Sequence, residues 1–169
     1  LLKEIEQKLP QEKGWDFSLM QTERDPVPWE YETIVSQLLK PTDFILDIGT
    51  GGGEKLIRYV VYCDKAVGID VDPERIAAAR KKLPGDLEPK VSYQVMDSSA
   101  LKFSDESFNV VLSRHAPVSI SEIKRVLKKD GLFITQQVGQ RNMENIRTAL
   151  GVSAVQYAQR NSLQELQED

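Results

Sequence analysis

The sequence predicts a doubly wound α/β domain, a mainly parallel sheet with helices on both faces. Two observations carry that prediction. Short apolar runs alternate with amphipathic stretches along most of the chain, and the first clear apolar run opens into "DIGTGGGE", Asp47 to Glu54, with four glycines in eight residues. Parallel strands need long crossovers, and helices supply them with a right-handed sense, so this alternation covers a sheet on both sides.

The elements follow in order. Leu2, Ile5 and Leu9 recur at helical spacing before Pro10 and predict a short amphipathic helix. "GWDFSLMQTERDPVPWEYE" mixes Trp15, Phe17 and Trp29 with acids and prolines, and Pro28 is placed to open a helix running to about Leu39. Residues 1–40 thus read as a helical cap or lid and 41–169 as the sheet domain. "DFILDI" is a buried strand, "EKLIRYVV" a helix and "AVGID" a second strand. Asp72 and Pro73 supply the N-cap and first residue of a helix over "ERIAAARKKL", and "KVSYQVM" alternates as a third strand. "FNVVLS" is a fourth strand after the turn "SDES". Ser119 and Glu122 have capping-box spacing ahead of "IKRVLKK", and Asp130-Gly131 ends that helix before a fifth strand, "LFITQQV". Two further helical stretches fall around Asn142 to Leu150 and in the last ten residues.

Composition narrows the class. The chain has 169 residues, 40% apolar and 28% charged, which fits one globular domain with a core of its own. Its net charge of -4 and the lack of a long Lys/Arg block argue against nucleic acid or an anionic membrane as partner. Cys63 is the single cysteine, so no internal disulfide forms, a structural zinc site is not expected, and a reducing cytoplasm fits best. No apolar stretch approaches the roughly 20 residues of a membrane helix, and "LLKEIEQKLPQEK" is too charged for a signal peptide. The first residue is Leu rather than Met, so the expectation is a trimmed start.

In doubly wound sheets ligands bind beyond the carboxyl ends of the strands, which is where the glycine turn stands. Glycine there permits positive φ and a close backbone approach. A dinucleotide fingerprint would require a glycine at position 54; Glu54 is there instead, and its carboxylate would repel a pyrophosphate at the helix N-terminus. The phosphate-cradling Gly-Lys-Ser/Thr is absent too, since Leu56 follows Lys55. Asp47, two residues before the first glycine, suits a ligand with a cationic amino-acid portion and no phosphate.

From about Asp43 to Val138 the sequence resembles the class I S-adenosylmethionine-dependent methyltransferases. "ILDIGTGGGE" resembles their glycine motif, "VGIDVD" the acidic end of the second strand, "VMDSSALKFSDESFNVVLS" the segment joining strands three and four, and "EIKRVLKKDGLFI" the helix and fifth strand. The resemblance implies a Rossmann-like fold, S-adenosylmethionine as cofactor, and methyl transfer to an acceptor, here expected to be a small molecule. It places Asp47, Gly49, Gly51 and Gly53 on the methionine portion, Asp70 on the ribose hydroxyls, Val71 on an adenine face, and Asp97 with Ser98 on the adenine edge. Ser113, Arg114 and His115 would project from the fourth strand beside the sulfonium, Ser113 toward the cofactor, Arg114 and His115 toward the acceptor as catalytic candidates. The family adds an antiparallel sixth and seventh strand after the fifth. This sequence ends at "LQELQED" where that pair should begin, so the expected domain lacks both.

Plainer roles stand beside these. Asp72 is the helix cap, which leaves Asp70 as the binder; Asp97 could instead cap a turn with Ser98 and Ser99. Arg114 suits a neighbouring carboxylate as well as a substrate, and a lone histidine often serves structure. Trp15, Phe17 and Trp29 fit core anchors or a lid equally. RNA or protein methylation, and a module that binds the cofactor without turnover, are the alternatives to small-molecule methylation.

Overall fold

The computed structural model describes residues 28–139, 144–149 and 151. Its centre is β1 (Phe44–Ile48), flanked by β2 (Lys65–Asp70) and β3 (Val91–Val95) on one side and by β4 (Phe108–Arg114) and β5 (Leu127–Gln136) on the other. All four pairings are parallel. The strand order β3-β2-β1-β4-β5 reverses between β1 and β4, and the carboxyl ends there form the crevice in which such sheets bind ligands.

Alternation along β1 divides the core into two layers. Ile45 packs with Leu56, Ile76, Val110 and Leu112 on one face, while Leu46 and Ile48 pack with Val67, Ile69, Val111 and Ile123 on the other. The near-continuous apolar run is what a strand buried on both faces requires.

Helix α1 (Tyr31–Leu38) buries Tyr31 and Val35 one turn apart, and Leu39 follows at the same spacing. It begins after the sequence expectation, because Glu30 remains extended and is the N-cap, so Pro28 precedes the helix instead of opening it. Trp29 is largely exposed, whereas Trp15, Phe17 and the Leu2–Leu9 helix lie outside the described residues. Helix α2 (Glu54–Tyr59) tightens into a 3-10 turn over Val60–Tyr62, where two consecutive β-branched residues disfavour another α turn.

Helix α3 (Pro73–Lys82) is capped as its sequence predicts: the Asp72 carboxylate accepts the Glu74 N–H at 2.9 Å, with Pro73 in the first turn. Helix α4 (Ile120–Val126) realises half of its capping box. Ser119 Oγ accepts the Glu122 N–H at 3.4 Å, but the Glu122 carboxylate turns away to the Leu101 N–H, 2.7 Å, and to Arg125. The helix also ends earlier than "IKRVLKK" suggests. Leu127 N–H closes its last turn on Ile123, and Leu127 then pairs with Phe108, drawing the chain into β5. Asp130, at φ 62, and Gly131 turn the backbone so that pairing resumes at Val110 and Leu132. Helix α5 (Glu144–Ala149) falls within the predicted stretch from Asn142; the last ten residues lie outside those described.

Candidate functional site

The glycine turn is built by backbone geometry that other residues resist. Gly49, Gly51 and Gly53 have φ of 75, 58 and 79°. The N–H groups of Gly49 and Thr50 both donate to Ile69 O at 2.9 Å, folding the turn back over the end of β2. Gly51 N–H donates to Asp70 Oδ2 at 3.1 Å, and Asp72 N–H donates to Asp70 Oδ1 at 3.0 Å. Asp70 is buried, so turn and acid form one unit. Each carboxylate oxygen accepts more than one bond, which leaves capacity for two further donors.

Glycines also clear space behind the turn. A β-carbon on Gly53 would stand 2.5 Å from the Tyr93 hydroxyl, and that hydroxyl donates to Gly53 O at 3.3 Å. Gly68, inside β2, leaves room for Thr50 and Tyr93, whose atoms would lie 2.7 and 2.8 Å from a β-carbon there. Gly52 does not have positive φ, and a β-carbon there would meet the flexible end of Glu54. Glu54 opens α2 and pairs with Lys82 at 2.6 Å.

Asp47 lies beneath this turn, partly buried, on the same face of the sheet as Tyr31, Tyr59 and Tyr93. Burial pushes its carboxyl up to about 7; the Thr50 hydroxyl works against the rise and the Asp70 charge adds to it. All three phenols are raised above their usual range, first by burial and further by the Asp47 charge. A carboxylate so placed gains by meeting a cation.

At the carboxyl end of β4, Ser113 is fully buried, donates weakly to Ala116 O at 3.4 Å, and accepts from Gln137 Nε2 at 3.5 Å. Successive strand residues face opposite sides, so the Ser113 and Arg114 side chains leave β4 on opposite faces. Arg114 points to the α1 side, 3.7 Å from Glu32 Oε1 and 5.9 Å from the centre of the Tyr31 ring. His115 is exposed, has φ 60°, and donates its N–H to Gln136 O at 2.9 Å. Partial burial of its ring, then the Arg114 charge, lower its pKa. The neighbouring Ala116 touches Gly49.

At the end of β2, Val71 stands 64% exposed beside buried Asp70, an apolar platform left open to solvent. Asp97 Oδ1 accepts both the N–H and the hydroxyl of Ser99 at 2.8 Å, and these bonds hold its carboxyl below the usual range. The turn-capping role is therefore realised through Ser99. Ser98 donates its hydroxyl to Pro117 O at 2.8 Å, tying this segment to the loop that carries His115. Arg125 braces the next stretch, donating to Leu101 O at 2.8 Å, Phe103 O at 2.7 Å, Asp105 and Glu122.

The structure thus brings Asp47, the three glycines and Asp70 together, with Val71 alongside, and links Ser98 to the His115 loop. Sequence reasoning missed Tyr31, Glu32, Tyr59, Tyr93 and Ala116. Gly68 was the available signal for Tyr93, since a glycine inside a strand marks a close approach. An open cleft lined by Glu32, Thr33, Ser36, Gln37 and Tyr62 lies along α1 and shares only Glu32 with these residues. Among the described residues, no helix is long and apolar enough to cross a membrane, and no group of three His, Cys, Asp or Glu could hold a metal ion.

Comparison with known proteins agrees with this geometry. Residues 46–135 match the family model described as a methyltransferase domain. The uncharacterized methyltransferase YcgJ of Bacillus subtilis is 29% identical over 97 residues, 53% of this chain and 38% of that protein. Its crystal structure superposes with a TM-score of 0.66 at 22% identity, covering 82% of this chain and 64% of that one. A SAM-dependent methyltransferase from Methanosarcina mazei has a TM-score of 0.58 at 27% identity, over 74% of this chain and 64% of that one. Demethylmenaquinone methyltransferase of Symbiobacterium thermophilum is 27% identical over 117 residues, 63% of this chain and 47% of that protein. The chain spans 38 to 52% of the length of the first curated relatives it matches. With more than half of its residues inside the matched domain and the parallel sheet and glycine turn in place, the chain belongs to the class I S-adenosylmethionine-dependent methyltransferases.

Proposed function

We propose that this chain binds S-adenosylmethionine across the carboxyl ends of β1, β2 and β4 and transfers its methyl group to a small-molecule acceptor. The observation that carries the reading is the Gly51–Asp70 unit above Asp47. It is a buried acid with spare acceptor capacity, locked to a positive-φ turn, beside a second carboxylate whose raised pKa favours a cationic partner. The residues present fit the cofactor. Asp47 faces its ammonium, Asp70 its vicinal ribose hydroxyls, Val71 one adenine face and Asp97 the adenine edge. Ser98 acts through its bond to Pro117, holding the adenine-side segment against the acceptor-side loop.

S-adenosylmethionine supplies an electrophilic methyl group on a sulfonium. The chain's own work is to position and to exclude water, because in-line transfer asks mainly for alignment. His115, exposed at the end of β4, is the proposed residue for the acceptor side. Its lowered pKa keeps the ring neutral at pH 7, so it can accept a proton from an acceptor that retains one.

Two facts support a small acceptor. The net charge is -4, with no long basic block to track a nucleic-acid backbone. A similar protein is named for methylating demethylmenaquinone, a small molecule, while another is named for methylating a ribosomal protein, the alternative class. Calorimetric titration with S-adenosylhomocysteine beside a nicotinamide dinucleotide tests the cofactor half of the proposal: the former should bind and the latter should not. Tight dinucleotide binding without a response to S-adenosylhomocysteine would overturn it. Incubation with labelled S-adenosylmethionine and panels of small molecules, RNA and protein then tests the acceptor half. Label transferred only to RNA or protein would refute a small acceptor, and binding with no transfer to any panel would mark a non-catalytic module.

A further inference from the structure

Arg114 is incompletely matched where it stands. Among the described residues its Nε is buried without a hydrogen-bond partner, and its nearest carboxylate oxygen, on Glu32, is 3.7 Å from Nη1. A guanidinium carries five donors in a rigid fork suited to gripping a carboxylate with two bonds, and a buried donor left unpaired is costly. Glu32 cannot supply that grip, because it already accepts from Lys55 and from Arg58 at 3.1 Å. Although partial burial works the other way, those two cations hold its carboxyl below the usual range. Three cations from two elements share one acid.

The position of Arg114 relative to Asp47 gives the mismatch a purpose. Asp47 is the register partner of Leu112, and Arg114 lies two residues further along β4 on the same face. That is about 7 Å of strand toward the open carboxyl edge. Tyr31 stands between them, near enough for the Asp47 charge to raise its pKa and the Arg114 charge to lower it. Its hydroxyl donates to Ile134 O at 3.0 Å, which fixes the ring under Arg114. An acid for an ammonium and a cation for a carboxylate therefore stand side by side over one buried tyrosine.

We propose that Arg114 is the counter-ion of the cofactor's α-carboxylate, its place held here by Glu32, so that Asp47 and Arg114 together recognise an amino-acid zwitterion. The inference rests on the S-adenosylmethionine reading above and moves Arg114 from the acceptor side to the cofactor side. Ligands of the class are nucleoside thioethers and sulfonium ions that end in an α-amino acid.

The test compares S-adenosylhomocysteine with S-adenosyl-3-thiopropylamine, which lacks only the carboxylate, by calorimetry on the parent, Arg114→Gln and Glu32→Gln. In the parent, loss of the carboxylate should weaken binding roughly 10- to 100-fold, the scale of one charge-assisted pair. Arg114→Gln should weaken S-adenosylhomocysteine by a similar factor while leaving the thiopropylamine within about 3-fold of the parent. Glu32→Gln, which removes the competing acid, should tighten S-adenosylhomocysteine alone; this keeps the proposal testable if Arg114→Gln melts at low temperature. Equal parental affinity for the two ligands, equal losses for both in Arg114→Gln, or no gain in Glu32→Gln would each overturn the assignment. A folded parent that binds neither ligand would overturn the cofactor reading itself, a result distinct from all three.

Discussion

A β-carbon on Gly49 would stand 2.3 Å from the β-carbon of Ala116, so the glycine turn and the loop after β4 are in direct contact at the seam of the site. Gly49 also has φ 75°. Gly49→Ala therefore meets two separate penalties: roughly 1 kcal/mol for a left-handed non-glycine residue and about 1–3 kcal/mol for overpacking. Urea denaturation of Gly49→Ala, Ala116→Gly and the double variant separates them. The second change should recover the steric share and leave the backbone share; simple additivity would mean that the two loops are not packed as described.

Asp70 closes the glycine turn in this structure and is the proposed partner of the ribose, so its replacement should have two readouts. Asp70→Ala leaves the buried Gly51 N–H unpaired, at a cost of about 1–3 kcal/mol. It should also weaken S-adenosylhomocysteine by roughly one to four orders of magnitude through the lost ribose bonds. Asp70→Asn retains an acceptor oxygen and should melt closer to the parent than Asp70→Ala does. Unchanged affinity in Asp70→Ala would remove Asp70 from the ribose.

Asp47 predicts a pH dependence of defined sign. Its carboxyl is raised from 3.8 to about 7 in the folded chain, so between these values the folded state holds a proton that the unfolded state has released. Stability from this group is greatest below the unfolded value and falls as pH rises toward 7. The lowered pKa of His115 acts oppositely, so the measurement is the difference between the parent and Asp47→Asn across pH 4 to 7. Asp47→Asn should flatten that loss. Binding a ligand ammonium should in turn expel the proton, so titrations near pH 6 in buffers of different ionisation enthalpy should report proton release in the parent and none in Asp47→Asn.

His115 combines a backbone demand with the proposed role toward the acceptor. Its φ of 60° favours Gly, and it disfavours β-branched residues. His115→Gly should keep or raise the melting temperature, whereas His115→Val should lower it. Both should leave S-adenosylhomocysteine affinity within a few-fold of the parent. With a known acceptor, both should lose turnover, by roughly 10² or more if the ring is a general base. A variant that melts early yet keeps full specific activity would make His115 a structural residue.

The parts legible in the sequence are those fixed by neighbouring residues. Asp72-Pro73 caps α3 because capping is decided within a few positions, and β1 reads as a doubly buried strand from its own apolar run. The three positive-φ glycines were legible for the same reason. What was missed depends on contacts far apart in the chain. Tyr93 reaches Gly53 across 40 positions, Arg58 reaches Glu32 across 26, and Tyr31 reaches Ile134 across 103. The burial of Ser113 was not legible either, because it depends on Ala116 and Gln137 closing over the end of β4. The half-made capping box failed for a related reason: Glu122 found a better partner in Arg125 and the Leu101 N–H, 21 residues upstream.

The central place of β1 also sets an order of assembly. It meets β2 across a short excursion, from Ile45 to Ala66, but the bond from Phe44 N–H to Asn109 Oδ1 in β4 closes 65 positions. On loop-closure entropy alone the longer excursion costs about 1 kcal/mol more, so the half that holds the glycine turn and Asp70 is favoured to form first. Arg114, His115 and Ala116 arrive only when β4 docks along the other edge of β1. A ligand that touches both sides of this crevice bridges the two halves and acts as a clasp on the whole sheet.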